Sequence, residues 1–197
     1  MITRFLKIYN QILRKYPVSI QCFQTGLLVG SGDALCQSIV EHTSILEFNL
    51  RRALEFFGVG AFIIGPPKVY WLRTLSERVT GRNEIFVVIR KVIWDQLLFA
   101  PLGLVLFLVS LALVQGKMSS EIQRILSEDF PKILLTNYKV WPVIQLINFY
   151  LVPLHHQVLF IQTVAILWNT YMSWMTHSHG KYEGVGNDVD SEKQVET

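Results

Sequence analysis

Four apolar stretches, at Val18 to Val40, Ala53 to Tyr70, Ile93 to Val114 and Val140 to Trp174, dominate this chain. Each is about as long as a helix needs to cross a hydrocarbon core of roughly 30 Å, and the last has room to bend near Pro153-Leu154-His155-His156. Within the last stretch, WPVIQLINFYLVP keeps a tryptophan, a glutamine and an asparagine among apolar neighbours, as suits a membrane helix that reserves polar groups for its protein neighbours. In a chain of 197 residues that is 51% hydrophobic, the economical reading is one membrane domain over residues 1–179. The expected fold class is all-α, with four transmembrane helices near 18–40, 53–70, 93–114 and 140–174.

Two further helices are predicted outside the spans. Met1 to Tyr16 places Phe5, Ile8, Tyr9, Ile12, Leu13 and Tyr16 on one face, with Arg4, Lys7, Arg14 and Lys15 and no acid. That pattern suits an amphipathic surface helix or a mitochondrial targeting element, and sparse Ser and Arg favour the surface helix. Ser120 to Leu135 reads as an interfacial helix bent at Pro131, lying along the membrane before the last span. Residues 180–197 are polar and charged and are expected to form a disordered tail. Four spans put both termini on one side, together with a loop over Trp71 to Lys91.

The net charge of +3 is modest and its bases are scattered, which argues against nucleic acid as a partner. The expected partners are the lipid bilayer and small-molecule solutes, with a homo-oligomer as a further option. Cys22 and Cys36 lie about 21 Å apart along one helix and read as buried thiols. His155-His156 and His177-x-His179 lack companion ligands at metal spacing, and no nucleophile motif occurs, so no metal, no cofactor and no enzymatic activity are expected.

Polar residues inside apolar runs are the candidate functional set: Asp33, Gln37, Lys91, Asp95, Gln96, Gln145, Asn148 and Asn169. A charge near the bilayer centre costs roughly 2.5–3.5 kcal/mol, so such residues face the bundle interior. Lys91 precedes Asp95 by one helical turn and is expected to pair with it, beside Gln96. Two readings stand: a polar lining for a solute path, or a buried ion pair that fixes helix packing. Gly26 and Gly30 form a small-residue face for close helix approach rather than a phosphate loop. Gly65, Pro66, Pro101, Pro142 and Pro153 mark kinks or breaks, with Gly65-Pro66-Pro67 expected to end or kink the second span.

The ordered set Tyr16-Pro17, Thr25-Gly26, Gly32-Asp33 with Gln37, Arg52, Gly65-Pro66 with Tyr70-Trp71, Lys91 with Asp95-Gln96, Pro101, Trp141-Pro142, Gln145, Asn148-Phe149, Val152-Pro153, and Trp168-Asn169 with Tyr171 and Ser173 resembles the Mpv-seventeen and peroxisomal membrane protein twenty-two family. The resemblance runs from Tyr9 to Ser173. It implies a four-span protein of the mitochondrial inner membrane, or alternatively of the peroxisomal membrane. Members are regarded as non-selective or weakly selective channels, tied to mitochondrial homeostasis and mitochondrial DNA maintenance through small-metabolite movement. By the same resemblance, Asp33, Lys91, Asp95 and Gln96 would sit near the path. This chain departs from the family pattern at Val69, Leu72 and Gln157. A non-conducting membrane scaffold is the rival reading.

Overall fold

The computed structural model describes residues 16–44, 46–151, 160, 161 and 163–177. Five helices account for almost all of them, and no strand occurs among the described residues. Helix α1 runs from Pro17 to Leu35 and continues as a π-helical turn, Cys36–Val40. Helix α2 joins Leu50–Gly58, a π-turn at Val59–Ile64 and Gly65–Arg78. Helix α3, Glu84–Val114, contains a π-turn at Asp95–Phe99. Helix α4 joins Ser119–Arg124, Ile125–Asp129 and Phe130–Tyr150. Helix α5 covers residues 160, 161 and 163–177.

Three of the four π-turns end two residues before a proline: Ile64 before Pro66, Phe99 before Pro101 and Asp129 before Pro131. A proline inside a helix lacks the N–H and crowds the carbonyl four residues back. Here those carbonyls belong to Phe62, Leu97 and Ser127, each inside the widened turn. The extra residue moves the carbonyl aside and the helix continues. The Gly65-Pro66-Pro67 break expected from sequence is therefore absorbed, and α2 runs on to Arg78. The same device joins the predicted interfacial helix to its successor, so Ser120 to Leu135 is the first half of α4 and not a separate element. Pro142 lies within α4 without a widened turn.

The predicted loop over Trp71 to Lys91 is mostly helical. Asn83 caps α3, its Oδ1 accepting from the Ile85 N–H at 3.0 Å, and Glu84 sits favourably at the dipole's positive end.

The stretch 140–174 is not one span. Trp141 and Trp168 bring their rings to 6.1 Å, and Tyr171 and Thr136 hydroxyls lie 3.2 Å apart. In one straight helix Trp141 and Trp168 would be roughly 40 Å apart. The chain thus folds back between Tyr150 and residue 160, making α4 and α5 antiparallel neighbours. Pro153 lies outside the described residues, as do the N-terminal amphipathic helix and the tail. The start of α1 and the end of α5 fall at opposite ends of the bundle.

Small residues set the closest helix approaches. A methyl at Gly26 would meet Ala61 Cβ at 2.7 Å, and one at Gly30 would meet the Ala53 carbonyl at 3.2 Å. Gly60 and Gly65 of α2 present the same close surface to Val29 and Cys22 of α1. The apolar core gathers nearer the other end of the chain, where Phe56, Leu108, Leu111 and Ile133 are buried against Met172 and Met175 of α5.

Among the described residues, α3 is the one helix long and apolar enough to cross a membrane on length and composition alone. Large apolar side chains nevertheless point outward on several helices, among them Phe62, Leu102, Val143 and Leu167.

Candidate functional site: a buried ionic cluster beneath an open pocket

Asp33 and Gln37 lie one turn apart on α1 and share a face, both fully buried. Gln37 Nε2 donates to Asp33 Oδ2 at 2.8 Å. The same amide pairs with the backbone of Asn49, donating to its carbonyl at 3.1 Å and accepting from its N–H at 2.8 Å. This ties the end of α1 to the start of α2. Asn49 in turn caps α2, its Oδ1 accepting from the Arg52 N–H at 3.0 Å.

That cap sets Arg52 one turn into α2, aimed at α1. Its Nε donates to Asp33 Oδ1 at 2.7 Å, while Nη1 and Nη2 donate to the two oxygens of Glu41 at 2.9 and 2.8 Å. The planar guanidinium fork suits such two-point recognition. Nη2 also donates to Ser173 Oγ at 2.8 Å, and Ser173 donates onward to Asp33 Oδ1 at 2.6 Å. Cys36 Sγ lies 3.5 Å from Glu41. Three helices thus meet on one guanidinium, whose side chain is 12% exposed against 0% for Asp33 and 15% for Glu41. Two carboxylates face one guanidinium, leaving the cluster a formal charge of −1.

Above Arg52 opens a pocket of about 430 Å³ lined by Asn49, Arg51, Arg52, Glu55, Gln115 and His177. Arg51 and Glu55 pair across its rim at 2.9 Å. His177, past the end of the predicted last span at residue 174, places Nδ1 3.0 Å from the Ser173 carbonyl and Nε2 3.2 Å from the Gln115 amide nitrogen. A carbonyl only accepts, so the proton is assigned to Nδ1, leaving Nε2 to accept from Gln115.

A second polar centre lies towards the other end of the bundle. Trp71 Nε1 of α2 donates to Asp95 Oδ1 at 3.0 Å, and Gln96 Nε2 approaches Asp95 Oδ2 at 3.3 Å. Gln96 Oε1 is buried with no hydrogen-bond partner among the described residues. The expected Lys91–Asp95 ion pair does not form. Asp95 keeps the ordinary one-turn register to Lys91, its backbone N–H bonding to the Lys91 carbonyl, and the carboxylate takes the Trp71 N–H instead. The cation whose field reaches Asp95 is Lys68 of α2.

The candidate residues therefore divide. Asp33 and Gln37 share the ionic cluster. Asn169 packs backbone-close against Gly32 and donates to the Ala165 carbonyl at 2.8 Å. Asp95 and Gln96 sit in the second centre, level with Trp71, which is nineteen residues and roughly 28 Å along α2 from Arg52. Gln145 is half-buried on α4, Lys91 is half-buried on α3, and the side chain of Asn148 lies outside the described residues. Glu41, Asn49, Trp71 and Ser173 were not among the predicted site residues, and neither was Arg52. Arg52 and Ser173 carried a signal in the ordered family residues, whereas Glu41 sits in an interhelical loop with no pattern to single it out.

No solved structure matches the chain. Residues 112–173 match the Mpv17 / PMP22 family. A zebrafish (Danio rerio) protein named mitochondrial inner membrane protein Mpv17 is 35% identical over 84% of this chain and 93% of its own length. The human (Homo sapiens) protein of that name is 34% identical over 87% of this chain and 97% of its own. Protein sym-1 of Neurospora crassa is 34% identical over 86% of this chain and 98% of its own. With similarity of that depth running almost end to end, the chain belongs to the Mpv17 / PMP22 family and is a protein of the mitochondrial inner membrane.

Proposed function

We propose that the protein is a channel-like multi-pass membrane protein that passes small solutes across the mitochondrial inner membrane. Through that traffic it contributes to mitochondrial homeostasis and mitochondrial DNA maintenance, and it catalyses no covalent chemistry. In this reading α1, α2, α4 and α5 cross the bilayer with α3, their outward apolar side chains facing lipid. The observation that carries the proposal is the open polar pocket whose floor is Arg52. Charged groups inside a helical membrane bundle are costly unless paired or kept in contact with water, and a vestibule supplies both conditions. Arg52 closes its inner end by joining α1, α2 and α5, so conduction requires Ser173 and α5 to withdraw from it.

Purified protein in planar bilayers tests the reading, with Glu55→Gln and Arg51→Gln beside the wild type. Both rim residues reach solvent, so folding should survive. Discrete openings whose ion preference moves in opposite directions in the two variants are expected. Silence from well-inserted protein across voltages would overturn it in favour of a non-conducting scaffold. One observation favours that rival: the two polar centres lie far apart, and Arg52 is fully engaged by its partners.

A further inference from the structure

A groove of about 380 Å³ runs between α2 and α3, walled by Pro67, Trp71 and Thr74 on one side and Phe99, Leu102 and Leu106 on the other. Trp71 and Phe99 lie within it with near-parallel rings whose centroids are 5.9 Å apart. It opens beside Leu102, which is 65% exposed on the helix whose composition alone suits a membrane. The apolar run of that helix, Leu97 to Val114 with Ser110 as its one polar side chain, has its middle near Leu106. From the level of Ile64 and Leu106 to the level of Thr74 and Phe99 the groove spans ten residues of α2, roughly 15 Å. That is one leaflet of a core about 30 Å thick. Tyr70 and Trp71 near the outer end are the residue types that settle at the headgroup boundary.

Beyond that end the chain is basic. Residues 73–91 carry five bases (Arg73, Arg78, Arg82, Arg90, Lys91) against Glu77 and Glu84. Arg78 continues the groove-facing stripe of Pro67, Trp71 and Thr74 by one turn. The antiparallel register set by Trp71 against Asp95 and Phe99 brings Arg78 level with 88–92 of α3, where Lys91 lies. Neither Arg78 nor Lys91 makes an ion pair within 4.0 Å among the described residues. Lys68 is engaged electrostatically by Asp95.

We infer that this groove binds an anionic phospholipid of the surrounding bilayer, one acyl chain lying against Trp71, Phe99 and Leu106 and the phosphate meeting Arg78 and Lys91. The apolar trough selects a chain, and the paired cations select the headgroup charge, each basic group near a membrane surface adding attraction for anionic lipid. The site rests on α3 crossing the bilayer and is independent of whether the protein conducts.

Native mass spectrometry of the full chain in detergent, titrated separately with dioleoylphosphatidylglycerol and dioleoylphosphatidylcholine, tests it. The wild type should retain the anionic lipid roughly tenfold more tightly. The double substitution R78Q/K91Q should abolish the preference while leaving weak binding of both lipids. Gly103→Leu, which projects a side chain into the groove from α3, should weaken both. Equal retention of the two lipids by the wild type would reduce the groove to ordinary lipid contact and overturn the inference. So would a preference that survives R78Q/K91Q, or displacement by water-soluble glycerol phosphate, which would identify a free phosphate site instead. Thermal melting of each variant separates lost binding from lost folding, and the single variants R78Q and K91Q provide the same readout should the double variant prove unstable.

Discussion

At the residue scale, the charge that matters most is Arg52, because it pairs with the fully buried Asp33 and with the partly buried Glu41. Removing one partner of a buried ion pair strands the other in a medium that cannot solvate it. Arg52→Met should therefore cost about 3–5 kcal/mol in detergent unfolding. Ser173→Ala removes two hydrogen bonds of the set, one accepted from Arg52 and one donated to Asp33, and should cost about 1–3 kcal/mol. At the second centre, a double-mutant cycle of Trp71→Phe with Asp95→Asn should show coupling of roughly 1 kcal/mol, and Lys91→Gln with Asp95→Asn close to none. The reverse ranking would restore the one-turn pair expected from sequence.

Among the elements, the contrast between glycines is the sharpest test of packing. Gly32 sits where α1 meets the backbone of α5, so a methyl there would overlap the Asn169 and Thr170 main chain, which cannot step aside as a side-chain tip can. Gly32→Ala should lose about 1–3 kcal/mol from overpacking. Gly58, in the middle of α2, has open space where a Cβ would be. Gly58→Ala should stabilise by about 0.5–1 kcal/mol, since it only removes freedom from the unfolded chain. Equal effects at the two positions in the same unfolding assay would contradict this helix arrangement. The π-turns belong to this scale as well. They convert three prolines that read as breaks into ordinary members of long helices.

For the whole molecule, five helices alternate direction, so the turns between them divide between two ends. The α1–α2 loop near Glu47 and the α3–α4 turn at Lys117 share one end, and the α2–α3 turn at Arg82 lies at the other. Both native cysteines are buried, so single cysteines placed at these turns can be read without interference. Glu47→Cys and Lys117→Cys should react with a membrane-impermeant maleimide from one face of sealed vesicles, and Arg82→Cys only from the opposite face. Labelling of all three from one face would mean that the bundle lies on the membrane instead of crossing it.

Sequence by itself determined the all-helical class, the family, and the membrane setting, because these depend on local composition and on ordered residue sets that survive in one dimension. It also singled out Asp33, Gln37, Asp95 and Gln96 as residues too polar for their surroundings, since that cost is legible wherever a charge interrupts an apolar run. Their partners were decided only by tertiary structure. Asp33 meets Ser173 across 140 residues and Asp95 meets Trp71 across 24. Such pairings depend on helix crossing and on register, and a single widened turn rotates every side chain beyond it. The same reason explains the last stretch, where 140–174 has the composition of one long span, and only the approach of Trp141 to Trp168 reveals two helices folded against each other.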